Sequence, residues 1–598
     1  MHLHVESAVY FTGREMEIIP NYNLIHRFTS FTRADQRVFM SATTQDDSFF
    51  IKGLMVDEKA VTHPLTNAST NWSGEKMILF PTRIDTSLNS EIMREFVCKS
   101  SFISSFSRVV LVPSLWWGED YEKRGAKVAR GNLINEEINY LKKGEELDHT
   151  VVFVNRYDGI DLADNQCRLL VLDSLPSFGN LSDRYELKCR TDSALITTKI
   201  AQKIEQGLGR SVRSEKDYSI ILIVGEDLVR FIKTSSNQTF FSPQTLMQIQ
   251  IGEEVSGIVK DEISKEHTAL QTFCDVMKQC LNRDEGWKQF YKEGMDKISL
   301  QEDEHPLLSI INKEFKAEQA CIKSDYDAAA KIYQDLINTD FKDKEQEKGW
   351  YLQLLAKCKY RNSKVEAEKT QKSAHDLNPY VLMPANYHYK VIDPINLGAI
   401  ALVRKYISKF KLFNDLQLKI DSVITDLSLG TKADKFEAAL QEIGSLLGYV
   451  SQRPDQKYQV GFDNLWALPD GVNFIGFECK NEVSTTRDCI TKNEVGQMNN
   501  HIGWFEKEYG TNRNITYIHI HPTNAISDKA NYTREVHVMT EKELNKLKKN
   551  IKGFIAEFSK YDLKNLTEDF ISKALETHKL TSKDIRECYW VDPKHHLG

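Results

Sequence analysis

Residues Gly461 to Lys480 read GFDNLWALPDGVNFIGFECK, and this stretch decides how the C-terminal part of the chain folds. Tyr458, Val460 and Phe462 alternate with polar or small residues, which predicts one strand. Leu468-Pro469-Asp470-Gly471 supplies turn chemistry, because proline fixes φ and glycine accepts positive φ. Val472 to Glu482 predicts a second strand carrying Phe474, Ile475 and Phe477. The two-residue period of a strand puts Glu478 and Lys480 on one face and Cys479 on the other. If the two strands pair, Asp463 approaches Glu478, and two carboxylates and an amine converge at one end of a sheet.

Such a convergence has a chemical use. Two neighbouring carboxylates repel, and each is costly unless a cation lies between them. Mg²⁺ takes oxygen ligands and keeps several waters. Bound there, it activates water and stabilises charge on a phosphate oxygen. Lys480 would orient or activate that water. The plain alternative is an edge hairpin with a solvated Asp, Glu and Lys.

The flanking sequence favours the chemical reading. Lys432 to Leu447 predicts an amphipathic helix with Phe436, Ala439, Leu440, Ile443 and Leu447 on one face and Glu437 near its start. Asn493 to Tyr509 predicts a second helix, carrying Gln497, and TYIHIHPT from Thr516 a following strand. The order helix, strand, strand, helix, strand resembles the PD-(D/E)XK restriction-endonuclease-like fold over roughly residues 430 to 545. The resemblance implies that Asp463 and Glu478 are the metal carboxylates and that Lys480 is the motif lysine. It further implies that Glu437 is the optional helix glutamate and Gln497 the helix glutamine found in some branches. Phe462 stands where the motif name has proline. The implied cofactor is Mg²⁺, with Mn²⁺ as a substitute. His519 and His521, on one face of the last core strand, are expected to pack rather than to bind metal.

The chain has 598 residues, enough for several domains, with 41% hydrophobic and 27% charged residues. Its net charge of −7 means that any nucleic-acid contact must come from local patches. Ten cysteines, without a CxxC pair or zinc-type spacing, suggest reduced thiols and a cytoplasmic protein. No apolar run reaches the ~18 residues of a membrane span, and MHLHVESAVYF does not read as a signal peptide. No membrane partner is expected.

Residues 1–240 predict an α/β lobe. Short apolar strands are expected at Arg37–Met40, Met77–Pro81, Val109–Ser114, Val151–Val154, Leu169–Asp173 and Ser219–Val224, with a helix at Ser193–Gly207. Apolar strands alternating with helices imply a mostly parallel sheet covered on both faces. Three blocks, in order, resemble the second RecA-like lobe of a superfamily-two helicase. Ser41-Ala42-Thr43 resembles its coupling motif. Asn155 to Leu162, with Gly159 and Asp161, resembles the motif touching nucleic acid and nucleotide. Gln206-x-x-Gly209-Arg210-x-x-Arg213 resembles the arginine-finger motif. Planar, permanently charged guanidinium groups suit a developing phosphate charge. A surface-basic loop on an unrelated α/β domain is the alternative.

No GxxxxGK[ST] phosphate-cradling loop occurs, nor an acidic box before Ser41. A first RecA-like lobe is therefore expected in a separate polypeptide, or lost, and ATP enters only with such a partner. No ATPase activity is expected from this chain alone.

Residues 241–414 predict a helical linker. Ser242-Pro243 starts a helix, and small residues from Ala317 to Ala329 resemble one and a half tetratricopeptide-type (TPR-like) repeats. Residues 415–545 are the nuclease-like domain and 546–598 a helical tail. The expected fold class is α/β multidomain: a RecA-like parallel-sheet lobe, a helical middle and an α/β restriction-endonuclease-like C-terminal domain. The expected function is Mg²⁺-dependent phosphodiester hydrolysis on nucleic acid, DNA foremost, within a helicase–nuclease pairing of the kind found in bacterial restriction and anti-phage defence. The alternative is a non-catalytic nucleic-acid-binding subunit that completes the ATPase of a separate partner protein.

Overall fold

The computed structural model describes the chain apart from residues 1–6, 40–48, 64, 66–71, 73, 144–147, 158, 159, 161, 163, 213, 215, 264–266, 299–305, 385, 386, 393–397, 471, 485, 486, 512 and 596–598. It divides into two compact units, Met1–Met383 and Pro384–Gly598.

The first unit is built on six strands: β1 (Glu75–Leu79), β2 (Arg108–Val112), β3 (Lys127–Ala129), β4 (Val151–Val154), β5 (Leu169–Leu172) and β6 (Tyr218–Ile223). They lie in the order β1-β6-β5-β2-β4-β3, every neighbouring pair parallel. The strands are apolar on both faces because both are covered. Val110, Val112, Val152, Val171 and Leu222 enter one core; Val109, Leu111, Val151, Leu172 and Ile223 enter the other. The short strand β3 carries too few apolar residues to read from sequence. The strand expected at Arg37–Met40 does not form at Arg37–Phe39, where Val38 is 87% exposed and no sheet edge receives it. Met40 lies outside the described residues. A hairpin of Ser7–Phe11 and Met16–Pro20 is an addition that the sequence reading lacked.

Helix α1 (Ala194–Leu208) packs on the sheet through Ala201, Ile204 and Leu208. Helix α2 (Pro243–Glu262) begins where Ser242 caps Thr245 N–H with Pro243 in the first turn. Helix α3 (Ala269–Leu281) and α2 belong to the sheet's own core, through Ile251, Val255, Phe273 and Met277. Four further helices form an array: α4 (Pro306–Ile322), α5 (Tyr326–Asn338), α6 (Glu345–Lys359) and α7 (Lys364–Leu377). A buried ion cluster ties this array to the lobe. Arg190, 1% exposed, lies 2.6 Å from Glu347 and 2.9 Å from Glu186, and donates to the Tyr351 hydroxyl at 3.0 Å. Burial lowers the Arg190 pKa, but Tyr351, Glu347 and Glu314 outweigh it and keep the guanidinium charged.

The second unit holds a five-stranded sheet of β7 (Val450–Gln452), β8 (Asn464–Ala467), β9 (Asn473–Cys479), β10 (Asn514–Ile520) and β11 (Val536–Met539) in the order β11-β10-β9-β8-β7. β9–β10 and β10–β11 are parallel; β8–β9 and β7–β8 are antiparallel. Helix α8 (Ala433–Leu446) covers one face with Phe436, Leu440 and Ile443. Helix α10 (Lys492–Tyr509) covers the other with Met498, Ile502 and Phe505. Helix α11 (Glu541–Ala556) joins the α8 side through Leu544, Leu547 and Ile551, and residues from Leu563 to Tyr589 extend the same core.

The first strand of the deciding stretch lies further along than its alternation suggested. Residues 454–458 form a short helix, α9 (Pro454–Tyr458), started by proline in its first turn. Gln459 then takes a left-handed conformation at φ 57°. Gly461 follows at φ 80°, and a Cβ there would lie 2.5 Å from the Trp504 ring. The strand begins only at Asn464. The turn is as expected: Leu468 N–H bonds Asn473 O at 2.9 Å, and Asp470 Oδ1 accepts from Val472 and Asn473 N–H.

Candidate functional site

β8 and β9 bring Asp463 and Glu478 together at one end of the second sheet. Asp463 sits one residue before β8; Glu478 is the penultimate residue of β9, and Lys480 lies just past its end. Asp463, Glu478, Lys480 and Gln497 line one cleft of about 260 Å³. Asp455, Asn500 and His501 complete its lining.

The bonds fix each group. Cys479 N–H donates to Asp463 Oδ2 at 2.6 Å, across the strand pair. Lys480 Nζ donates to Glu478 Oε1 at 2.7 Å, and His501 Nε2 lies 3.0 Å from Glu478 Oε2. The Cys479 side chain points away from the cleft into the core beneath α8.

The two carboxylates differ sharply. Burial alone would raise the Glu478 carboxyl, but His501 and Lys480 outweigh it and hold the group well below the usual carboxylate range. Asp463 forms no ion pair among the described residues. Burial, then the charges of Glu478 and Glu437, push its carboxyl well above the ordinary range, against the Cys479 amide and Lys480. Asp455 is also raised, by burial first. Three carboxyl groups, Asp455, Asp463 and Glu478, share this cleft with one lysine and one histidine.

Glu437 does not line the cleft. Arg453, 3% exposed, draws it aside at 2.6 Å and also holds Asp434 at 3.0 Å. The backbone oxygen of Glu437 accepts from Asn464 Nδ2 at 2.9 Å. Glu437 thus acts on Asp463 through its charge alone.

The sequence reading missed Asp455, Asn500 and His501. His501 lies four residues after Gln497 on a helix, so the two share a face, and that spacing was the available signal. His519 pairs in register with Glu478 and is fully buried, donating to or accepting from the Tyr532 hydroxyl at 3.0 Å. His521 is likewise buried.

Asp463, Glu478 and Asp455 offer only carboxylate oxygens, a donor set suited to a hard divalent cation such as Mg²⁺, which commonly uses one or two carboxylates plus water. Among the described residues no group of three or more His, Cys, Asp or Glu is arranged to hold a metal by itself. The Asp463 carboxyl, raised by burial and by the Glu478 charge and without an ion pair among the described residues, is the observation that fits a cation.

In the first unit, the motif residues converge on each other. Arg210 Nε donates to Tyr157 O at 2.7 Å and Nη1 to Ile160 O at 2.9 Å, while Leu162 N–H returns a bond to Arg210 O at 3.3 Å. The expected arginine finger thus braces the loop after β4. Gly207 lets α1 approach that loop, since a Cβ there would lie 2.9 Å from the Tyr157 ring. Lys203 Nζ bonds Asn155 Oδ1 at 3.0 Å, and Asn155 sits at φ 51°. Gln206 is half-buried on the same helix. Gly159, Asp161, Arg213, Ser41, Ala42 and Thr43 lie outside the described residues.

Residues 132–241 match the model of the helicase C-terminal domain family. The match supports a superfamily-two helicase C-terminal lobe, and with it an interaction with nucleic acid. The parallel six-stranded sheet is consistent with a RecA-like lobe. No curated protein matches the chain. Among the described residues no helix is long and apolar enough to cross a membrane.

Proposed function

We propose that the second unit is a Mg²⁺-dependent nuclease that hydrolyses phosphodiester bonds in nucleic acid, DNA foremost, and that the helicase-type lobe serves it on the same substrate. One observation carries this reading: Asp463, Glu478 and Lys480 line a single open cleft in which the Asp463 carboxyl, raised by burial and by the Glu478 charge, forms no ion pair among the described residues. Asp463 and Glu478 would hold the metal, Mn²⁺ being a substitute. Bound there, it would activate water and stabilise charge on a phosphate oxygen. Lys480 stays protonated, because the Glu478 charge outweighs burial. Its Nζ–H groups are donors for the attacking water or a non-bridging oxygen. Gln497 and Asn500, exposed on the α10 rim of the cleft, supply amide donors to the strand being cut. The Cys479 amide keeps Asp463 oriented throughout.

The test is cleavage of labelled linear, circular and single-stranded DNA with Mg²⁺, with and without ATP, comparing wild type with Asp463→Ala and Lys480→Ala. Cleavage that needs Mg²⁺, vanishes in both variants and ignores ATP is expected. Absence of cleavage on every substrate would overturn this reading and favour a second one.

In that second reading the chain is a nucleic-acid-binding subunit completing the ATPase of a partner. The bonds from Arg210 into its own loop favour a scaffold role for the lobe in isolation. Both readings expect a separate P-loop protein, which a pull-down from the native source would recover. A place in restriction or anti-phage defence follows by association with similar pairings, and plaque counts with and without the intact cleft test it.

A further inference from the structure

The helical array of the first unit contains a second reactive pair, unrelated to the nucleic-acid chemistry. Cys321 lies near the end of α4 and Cys358 near the end of α6. Both are 4% exposed, and they pack in one apolar cluster with Ala317, Tyr333 and Leu355. Their Sγ atoms are 3.8 Å apart, although 37 residues separate them in sequence. Cys358 also lines a cleft of about 220 Å³ beside Tyr326, Ala330, Asn362 and Glu366, so the Cys358 side of the pair borders a solvent-filled cleft.

We propose that Cys321 and Cys358 are a reversible oxidation site, joined as a disulfide by a peroxide-class oxidant and released by a thiol reductant. A disulfide needs about 2.05 Å between sulfurs, so the pair must close by roughly 1.8 Å from its 3.8 Å separation. Rotation about the two Cα–Cβ bonds and a small approach of α4 and α6 supply that movement.

The two thiols are unlike, which suits a nucleophile and a resolving partner. The hydrogen bond with Cys358, and a further one with Tyr22, hold Cys321 below the ordinary thiol range despite burial. Cys358 is raised, by its bond with Cys321 first and then by burial. The Cys321 thiolate attacks the distal oxygen of the peroxide, the O–O bond breaks, and water leaves after protonation. Cys321 is then a sulfenic acid. Cys358 attacks its sulfur, the S–O bond breaks, and its proton leaves with hydroxide as a second water. Two thiols are oxidised and one peroxide is reduced. Burial instead pushes Cys98 and Cys274, both half-buried, up to about 11, which leaves little thiolate at neutral pH.

The test uses the reduced full chain. It is exposed to graded hydrogen peroxide, quenched, denatured and alkylated with N-ethylmaleimide, and its peptides are mapped by mass. The expected first product is a Cys321–Cys358 linked peptide, formed at peroxide about tenfold below that which oxidises Cys98 or Cys274, and lost on adding dithiothreitol. In Cys358→Ser, dimedone should instead trap sulfenic acid on Cys321. Both thiols remaining alkylatable while Cys98 or Cys274 oxidise would overturn the proposal. So would linkage of Cys321 to some other cysteine, or a Cys358→Ser chain whose Cys321 gives no dimedone adduct. Wild-type mapping stands whether or not the variant folds.

Discussion

The buried arginines of the first unit and the Asp463 carboxyl of the second have opposite fates. In the first, Arg190 is enclosed by carboxylates, Arg94 meets the buried Asp173 at 2.7 Å, and Arg210 donates to backbone carbonyls. In the second, Asp463 faces an open cleft beside the Glu478 carboxylate and forms no ion pair among the described residues. A fold that satisfies its charges internally has used them for cohesion. A fold that leaves one unsatisfied at a solvent-facing cleft is poised to take a ligand of the missing sign. That contrast separates structural from chemical residues more sharply than motif membership does. By motif alone both Arg210 and Asp463 are candidate site residues.

The largest expected effect tests the unsatisfied side. Asp463→Asn should cut phosphodiester cleavage about 10³-fold, while leaving thermal stability unchanged or higher, because a like-charge neighbour of Glu478 is removed. A variant that unfolds instead would place Asp463 among the cohesive residues. Next, Arg190→Met should cost the first unit about 3–5 kcal/mol, since Glu347 and Glu314 would lose a buried counter-charge. Denaturant melts read this, and a loss below about 1 kcal/mol would mean that the cluster is solvated. Arg210→Ala is expected to cost about 1.5–3 kcal/mol through its lost charged hydrogen bonds. It should leave DNA cleavage intact, and a loss of cleavage would show that the lobe is part of the cutting site.

The last test reads a slope. Burial lowers the His519 pKa from 6.5 to about 3. The unfolded chain therefore binds a proton that the folded chain refuses between those values. Stability is full above the unfolded pKa and falls as pH drops. This one group should contribute about 1.4 kcal/mol per pH unit in that window. His519→Phe should flatten that part of the acid-unfolding curve of the second unit, and an unchanged slope would assign it elsewhere.

Much of this was legible because strand signals are local. Val109–Val112 and Leu169–Leu172 are runs that a doubly covered sheet requires, and they read directly. The Asp470 turn and the Glu478–Lys480 face were equally plain. The errors arose where a local helix start or a partner elsewhere in the chain overrode the strand and helix patterns. Tyr458, Val460 and Phe462 alternate, yet Pro454 starts a helix there and Gly461 must pass beneath Trp504. Glu437 sits on the expected helix, yet Arg453 draws it away. Asp455 reaches the cleft from the short α9, a position no spacing rule announces.

The bond from Cys479 N–H to Asp463 has an implication for how this chain tolerates change. The letter between Glu478 and Lys480 serves the cleft with its main chain and the core with its side chain. Any residue that fills the same apolar space keeps the amide and so keeps the aim of Asp463, whatever its chemistry. Proline alone removes the donor. Position 479 can therefore drift with the packing behind the sheet while the two charged letters beside it stay fixed, and a search that demanded cysteine there would overlook sites of identical geometry.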